Sequence, residues 1–189
     1  MANVSKPGMN IIENLSNGRN ILRLLFLFLL FNLVVIPFIY PKFQTLDTLT
    51  SYTPEKAYNL ISSYGDQGRQ YYTIIELTLD LVYPFISAML FSLMILYTFR
   101  HGFPGFAWTN WLALIPFAIM SADFIENGCI VIMLLSYPHY LPNVAGIANI
   151  FTITKLALTP FELLFLAGLV GWLVRWIRSK NKPEIHASN

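Results

Sequence analysis

The chain has 189 residues, of which 56% are hydrophobic and 12% charged, and its mean hydropathy is +0.56. Ordinary soluble domains carry about 25% charged residues, so half that share excludes one and points to an integral membrane protein. A net charge of +2, with a single short basic tail in RWIRSKNK, reads as an anchor on anionic lipid and gives no nucleic-acid surface.

Four continuous apolar runs cover residues 21–40, 72–99, 110–135 and 148–174. Each reaches the ~20 residues that a helix needs to cross a hydrocarbon core. Their continuity, rather than alternation, excludes a membrane barrel. The expected fold is therefore all-α: one four-transmembrane-helix bundle spanning residues 1–189, with no second domain.

The first run is too long for the apolar part of a signal peptide, and IPFIYPKFQ after it offers no small-x-small cleavage site. Next comes YTPEKAYNLISSYG, where Thr53 suits an N-cap, Pro54 the first helical position and Gly65 a stop. Ala57, Leu60, Ile61 and Tyr64 recur there at helical spacing, which predicts a short amphipathic helix on the outer membrane surface or over a cavity. Asp66 is the expected N-cap of the second span. RHGFPGFAW and SYPHYLPN read as turns. Pro84 and Pro116 are expected to kink their helices, and Trp108, Trp111, Trp172 and Trp176 to mark the cytoplasmic interface.

Eight basic residues, Lys6, Arg19, Arg23, Arg100, Arg175, Arg178, Lys180 and Lys182, fall on one side of the predicted spans, against Lys42, Lys56 and Arg69 on the other. The positive-inside bias puts both termini in the cytoplasm.

The spans are not uniformly apolar. On the second, Arg69, Tyr72, Thr73, Glu76, Asp80, Tyr83, Pro84 and Ser87 share one helical face, with Glu76 and Asp80 one turn apart. The third carries SADFIENG, in which Asp123 and Asn127 share the same spacing and Glu126 flanks them. The fourth carries Lys155, Thr159 and Glu162 on one line. Counted at ~1.5 Å per residue, Asp80, Lys155, Asn127 and Glu126 form an upper tier in the outer half, and Asp123 and Glu162 a lower one. Each mid-span charge costs roughly 2.5–3.5 kcal/mol to insert. Five such acids against one lysine must be protonated, hydrated or bound to a cation. Lys155 is expected to pair with Asp80 or Glu126. Glu76, nearest the surface, is expected to be wet or paired with Arg69. Cys129, the lone cysteine, reads as a packing residue and excludes CxxC chemistry of the quinone-linked thiol-oxidase kind. His101, His139 and His186 lie far apart, so no metal site is expected.

YTPEKAYNLISSYGDQGRQYY, LDLVYP, ADFIEN and the lysine of the last span together resemble an uncharacterised family of small four-helix bacterial membrane proteins. The likeness runs from about Tyr52 to Lys155 and implies a bacterial inner-membrane location without supplying an activity. The layout alone, with an external helix after the first span and a Glu before a Pro in the second, is similar to the emopamil-binding and sterol-isomerase-like group. That group holds amine or sterol ligands against buried carboxylates. The DxxEN cluster and the membrane lysine depart from its pattern.

Three functions fit these residues. The first is a binding protein or permease-like carrier for a small polar, cationic or amphipathic ligand. Asp80, Asp123, Glu126, Asn127, Lys155, Glu162 and Glu76 would form its site, Arg69 and Tyr72 its mouth, and the 54–64 helix its cover, above a floor of Asp123 and Glu162. Transport by four spans would call for a homodimer or a partner. The second is an enzyme acting on a lipid or isoprenoid, with Asp123 or Glu126 as a protonated acid catalyst. The third is a structural subunit fixed by an interhelical polar lock. The residues name no cofactor.

Overall fold

The structure, a computed structural model, describes residues 14–180. Lys6, Lys182 and His186 lie outside the described residues. The architecture is all-α, and four helices among the described residues are long and apolar enough to cross a membrane: Gly18–Ile39, Gly65–Gly102, Thr109–Ser136 and Pro142–Lys180.

The first span begins as α1 (Gly18–Leu30), capped by Asn17, whose side chain accepts the Asn20 N–H at 3.0 Å. It widens into a π-helical stretch, Phe31–Val35, and ends as α2 (Ile36–Ile39). Pro37 has no N–H to offer Leu33, and the ladder slips register just before it. Residues 40–52 then fold back into the bundle, and the short helix α3 (Pro54–Ser63) follows. Its cap is the expected one: Thr53 accepts the Lys56 N–H at 3.3 Å, and Pro54 opens the helix. Gly65, at φ 64°, supplies the left-handed turn between α3 and the next helix.

That helix, α4 (Gly65–Gly102), runs for 38 residues, about 57 Å at ~1.5 Å per residue. It projects well beyond a ~30 Å hydrocarbon layer. Asp66 lies inside its first turn and pairs with Arg69, so it does not act as the expected N-cap. Next come α5 (Thr109–Leu112) and α6 (Ile115–Ser136), which make up the third span. Pro116 sits in the first turn of α6, where a missing N–H is harmless, and so starts this helix instead of kinking it.

The fourth span is broken. α7 (Pro142–Leu158) gives way to a 3-10 stretch, Thr159–Leu163, and then to α8 (Leu164–Lys180). Pro160 cannot donate to Leu156, and the ladder tightens there. The break changes the span's partner: α7 packs along α6, whereas α8 packs along α4. At the α8 end the helices nearly touch through glycine. A Cβ on Gly102 would lie 2.3 Å from the Gly168 carbonyl oxygen, and one on Gly168 would lie 2.8 Å from the Phe99 nitrogen.

Towards the other end, the cap end, which holds residues 40–64 and 137–141, α4 and α7 separate. Leu46, Leu49, Tyr52, Ala57 and Ile61 fill part of the gap, packing on Tyr72, Ile130, Met133, Ala145 and Ala148. The amphipathic face of α3 is therefore Ala57, Tyr58 and Ile61, while Leu60 is only half-buried. α3 is bolted to the 137–141 turn: the Tyr58 hydroxyl donates to the His139 carbonyl at 2.9 Å and accepts the Leu141 N–H at 2.8 Å.

Candidate ligand-binding site

Near mid-span, two carboxylates converge on one ammonium. Lys155 Nζ on α7 lies 2.7 Å from Asp123 Oδ1 and 2.6 Å from Glu126 Oε2, both on α6. The Thr152 hydroxyl, one turn before Lys155, donates to Glu126 Oε1 at 2.6 Å. Asn127 Nδ2 donates to Asp123 Oδ2 at 3.3 Å and to the Asp80 carbonyl at 3.1 Å, tying α6 to α4. Glu126 is fully buried, while Asp123 and Lys155 keep 15% and 16% of their side-chain surface. The expected Lys155–Glu126 pair is present. Asp123, assigned by depth to a lower tier, is the second partner, and Asp80 does not pair with Lys155.

Helix ends explain the difference. α7 begins at Pro142, well before the apolar run at 148, and α6 ends at Ser136. Lys155 and Asp123 are then each ~20 Å from the cap end of their helices at ~1.5 Å per residue, so they meet level. Pro142 and Asn143 close SYPHYLPN, which reads as a turn, and this hid the start of α7.

A second carboxylate group stands beside the first. Asp47 from the folded-back segment meets Glu76 and Asp80 of α4, with one oxygen from each lying within 4.8 Å of the others. Asp47 is firmly held: the Tyr72 hydroxyl donates to Oδ1 at 2.7 Å, and the Tyr40 hydroxyl donates to Oδ2. The Leu46 N–H in turn donates to the Tyr72 hydroxyl at 3.2 Å. Burial first, then the Asp47 and Asp80 carboxylates, push Tyr40 far above the usual phenol range, which keeps it a proton donor. Glu76 is 1% exposed and therefore not wet; neither of its carboxylate oxygens has a hydrogen-bond partner among the described residues. Nor does it meet Arg69, whose guanidinium pairs with Asp66 and lies 4.1 Å over the Tyr137 ring.

Between these groups lies a cavity of about 480 Å3, walled by the end of the first span, the 40–48 segment, α4, α6 and the break in the fourth span. Asp47, Asp80, Asp123 and Glu162 present carboxylates to it, Lys155 and Asn127 also line it, and Ile36, Ile119, Met120 and Pro84 supply apolar wall. Asp123 and Glu162 line the cavity, but so do Met120, Ile119 and Pro116, further from the cap end of α6, so the two acids are not its floor. Arg69 and Tyr72 are not at its mouth, and α3 is not its cover. Tyr40, Asp47 and Thr48 line it instead, while α3 is bonded to the 137–141 turn.

Asp47, Tyr40, Thr48 and Thr152 were not singled out by the sequence. Asp47 lies in a loop and reads as an ordinary surface charge. Only the cluster of polar residues in QTLDTLT, between a span and a helix, hints that this segment has a place to fold into. No protein-family model, curated protein or solved structure matches the chain.

Proposed function

We propose that this membrane protein binds a small cationic or amphipathic ligand in the cavity between the first span, α4, α6 and the fourth span. The observation that carries the reading is the surplus of acids over bases. The polar lock engages Asp123 and Glu126 with Lys155, which leaves Asp47, Glu76, Asp80 and Glu162 with no basic partner within 4.0 Å among the described residues. Three of those four face the cavity. A low-dielectric site keeps such a surplus only where protons or a cation offset it. The apolar stretches of the wall suit the hydrocarbon part of an amphipathic ligand.

The structural-lock reading describes part of the same site and does not explain the remaining acids. In the enzyme reading, Asp123 and Glu126 would donate a proton, but both carboxylates are paired with the Lys155 ammonium, at 2.7 and 2.6 Å. We further read the protein as one of the bacterial inner membrane, in keeping with its likeness to small four-helix bacterial proteins, with the cap end facing out.

Thermal unfolding of the full chain in detergent micelles, with benzylammonium, tetrapentylammonium or benzoate added, tests the proposal. The two cations should raise the melting temperature and benzoate should not. At ~100 times Kd a bound cation adds ~2.7 kcal/mol. Glu162→Gln should weaken the effect. Equal responses to cations and benzoate would overturn the reading.

A further inference from the structure

The Asp47, Glu76 and Asp80 group has a more specific chemistry than the cavity as a whole. Carboxylates crowd together on many wet surfaces without consequence, but Glu76 is 1% exposed and both of its oxygens lack a hydrogen-bond partner. Asp80 Oδ2 is also buried and without a partner. A buried carboxylate with no donor is costly. The side chains that could serve it are engaged elsewhere, Lys155 by Asp123 and Glu126, and Arg69 by Asp66.

Geometry supplies the missing partner. The three ligand oxygens lie within 4.8 Å of one another, and two oxygens on one ion at about 2.0–2.5 Å can be no more than about 5 Å apart. Hydrogen bonds from Tyr40 and Tyr72 fix the Asp47 carboxylate, yet each of its oxygens keeps a lone pair for a further contact. Such outer hydrogen bonds are what orient metal ligands. Glu76 and Asp80, one turn apart on a long helix, are a rigid pair of donors. All three donors are hard oxygens, with no imidazole or thiolate, which selects Mg2+, Mn2+ or Ca2+ over zinc or copper. Asp47 and Asp80 also line the cavity, so water or a ligand oxygen can complete the coordination shell, as Mg2+ in particular requires.

We propose that Asp47, Glu76 and Asp80 form a binding site for one hard divalent cation on the wall of the cavity. The expectation of no metal site rested on histidine and cysteine spacing, which an all-carboxylate site does not display. The site shares Asp47 and Asp80 with the cavity lining, yet it can be separated from organic-cation binding. Glu76 is not on the cavity wall, and Glu162, which is, belongs to no part of the metal cluster.

The test is a Mn2+ titration of the purified, chelator-stripped full chain in detergent micelles, followed by electron paramagnetic resonance up to roughly 1 mM, the weak end of protein calcium sites. One Mn2+ should bind per chain and be displaced by Mg2+ or Ca2+. Glu76→Gln and Asp47→Asn should each weaken binding by at least ~10-fold, and Glu76→Gln should also raise the melting temperature of the metal-free protein. Glu162→Gln should bind Mn2+ as the wild type does, whatever it does to benzylammonium. Should Glu76→Gln fail to fold, Asp47→Asn, which alters a loop residue, carries the comparison. Absence of bound Mn2+ in the wild type, or wild-type affinity in either folded variant, would overturn the proposal.

Discussion

Lys155 bridges Asp123 and Glu126, and Thr152 and Asn127 donate to the oxygens that it does not reach. Breaking a buried ion pair from one side leaves an uncompensated charge and costs roughly 3–5 kcal/mol, whereas replacing every member with neutral groups of similar shape costs much less. Lys155→Met should therefore destabilise the protein by an amount of that order. The triple variant Lys155→Met, Asp123→Asn, Glu126→Gln should recover most of the loss. Denaturant unfolding in mixed micelles measures both, and a near-neutral Lys155→Met would show that the lock contributes little. At this scale the sequence was informative wherever chemistry shows in residue type. A lone lysine among carboxylates in apolar surroundings must find a partner, and it does. Which carboxylate it finds depends on helix ends, and those moved by several residues. Asp47 was out of reach for a different reason, since no periodicity marks a loop that returns to the bundle core.

Helices were easier to read than their junctions. Thr53, Pro54 and Gly65 delimit α3 as their backbone preferences dictate, and apolar length alone marks the spans. The tight crossing of α4 with α8 was not legible, because a glycine in an apolar run carries no sign of what it faces. Nor was the change of partner at Pro160, which lies inside a run that hydropathy treats as continuous. The crossing depends on close approach through small residues, the device by which helices associate in lipid. A methyl at Gly168 would meet Thr98 Oγ1 at 2.4 Å and the Phe99 backbone nitrogen at 2.8 Å, and one at Gly102 would meet the Gly168 carbonyl and the Trp172 nitrogen. Neither backbone can yield without parting the helices. Gly168→Ala and Gly102→Ala should each cost roughly 1–3 kcal/mol, as overpacking does. Gly128, in the interior of α6, faces open space. Gly128→Ala should be neutral or stabilising by up to about 1 kcal/mol, from helix propensity alone. Thermal unfolding of the three variants checks the contrast, and equal effects at all three positions would mean that the crossing is looser than these distances indicate.

Across the whole molecule, the two ends are built differently. The end with the α4–α8 crossing is closed by glycine contacts and by the apolar cluster of Ile95, Leu96, Phe99 and Ala113. The cap end is packed with residues 40–64, and Asp47 of that segment meets Glu76 and Asp80 of α4 there. With four spans among the described residues, Gly18 and Lys180 lie at the same end of the bundle, and basic residues gather there too: Arg19, Arg23, Arg100, Arg175, Arg178 and Lys180. Basic flanks are retained in the cytoplasm, so the cap end and its carboxylates should face out, where a small cation can reach them without crossing the membrane. The two exposed positions Ser62 on α3 and Ala107 in the opposite turn can report this. Cys129 is only half-buried, so the experiment needs a Cys129→Ala background. In intact bacterial cells, a membrane-impermeant maleimide should label Ser62→Cys at once, and label Ala107→Cys only after the membrane is permeabilised. The reverse pattern would turn the molecule over. The same acids would then open to the cytoplasm, the positive-inside bias would have failed for this chain, and the cavity's ligand would have to be sought among cytoplasmic cations.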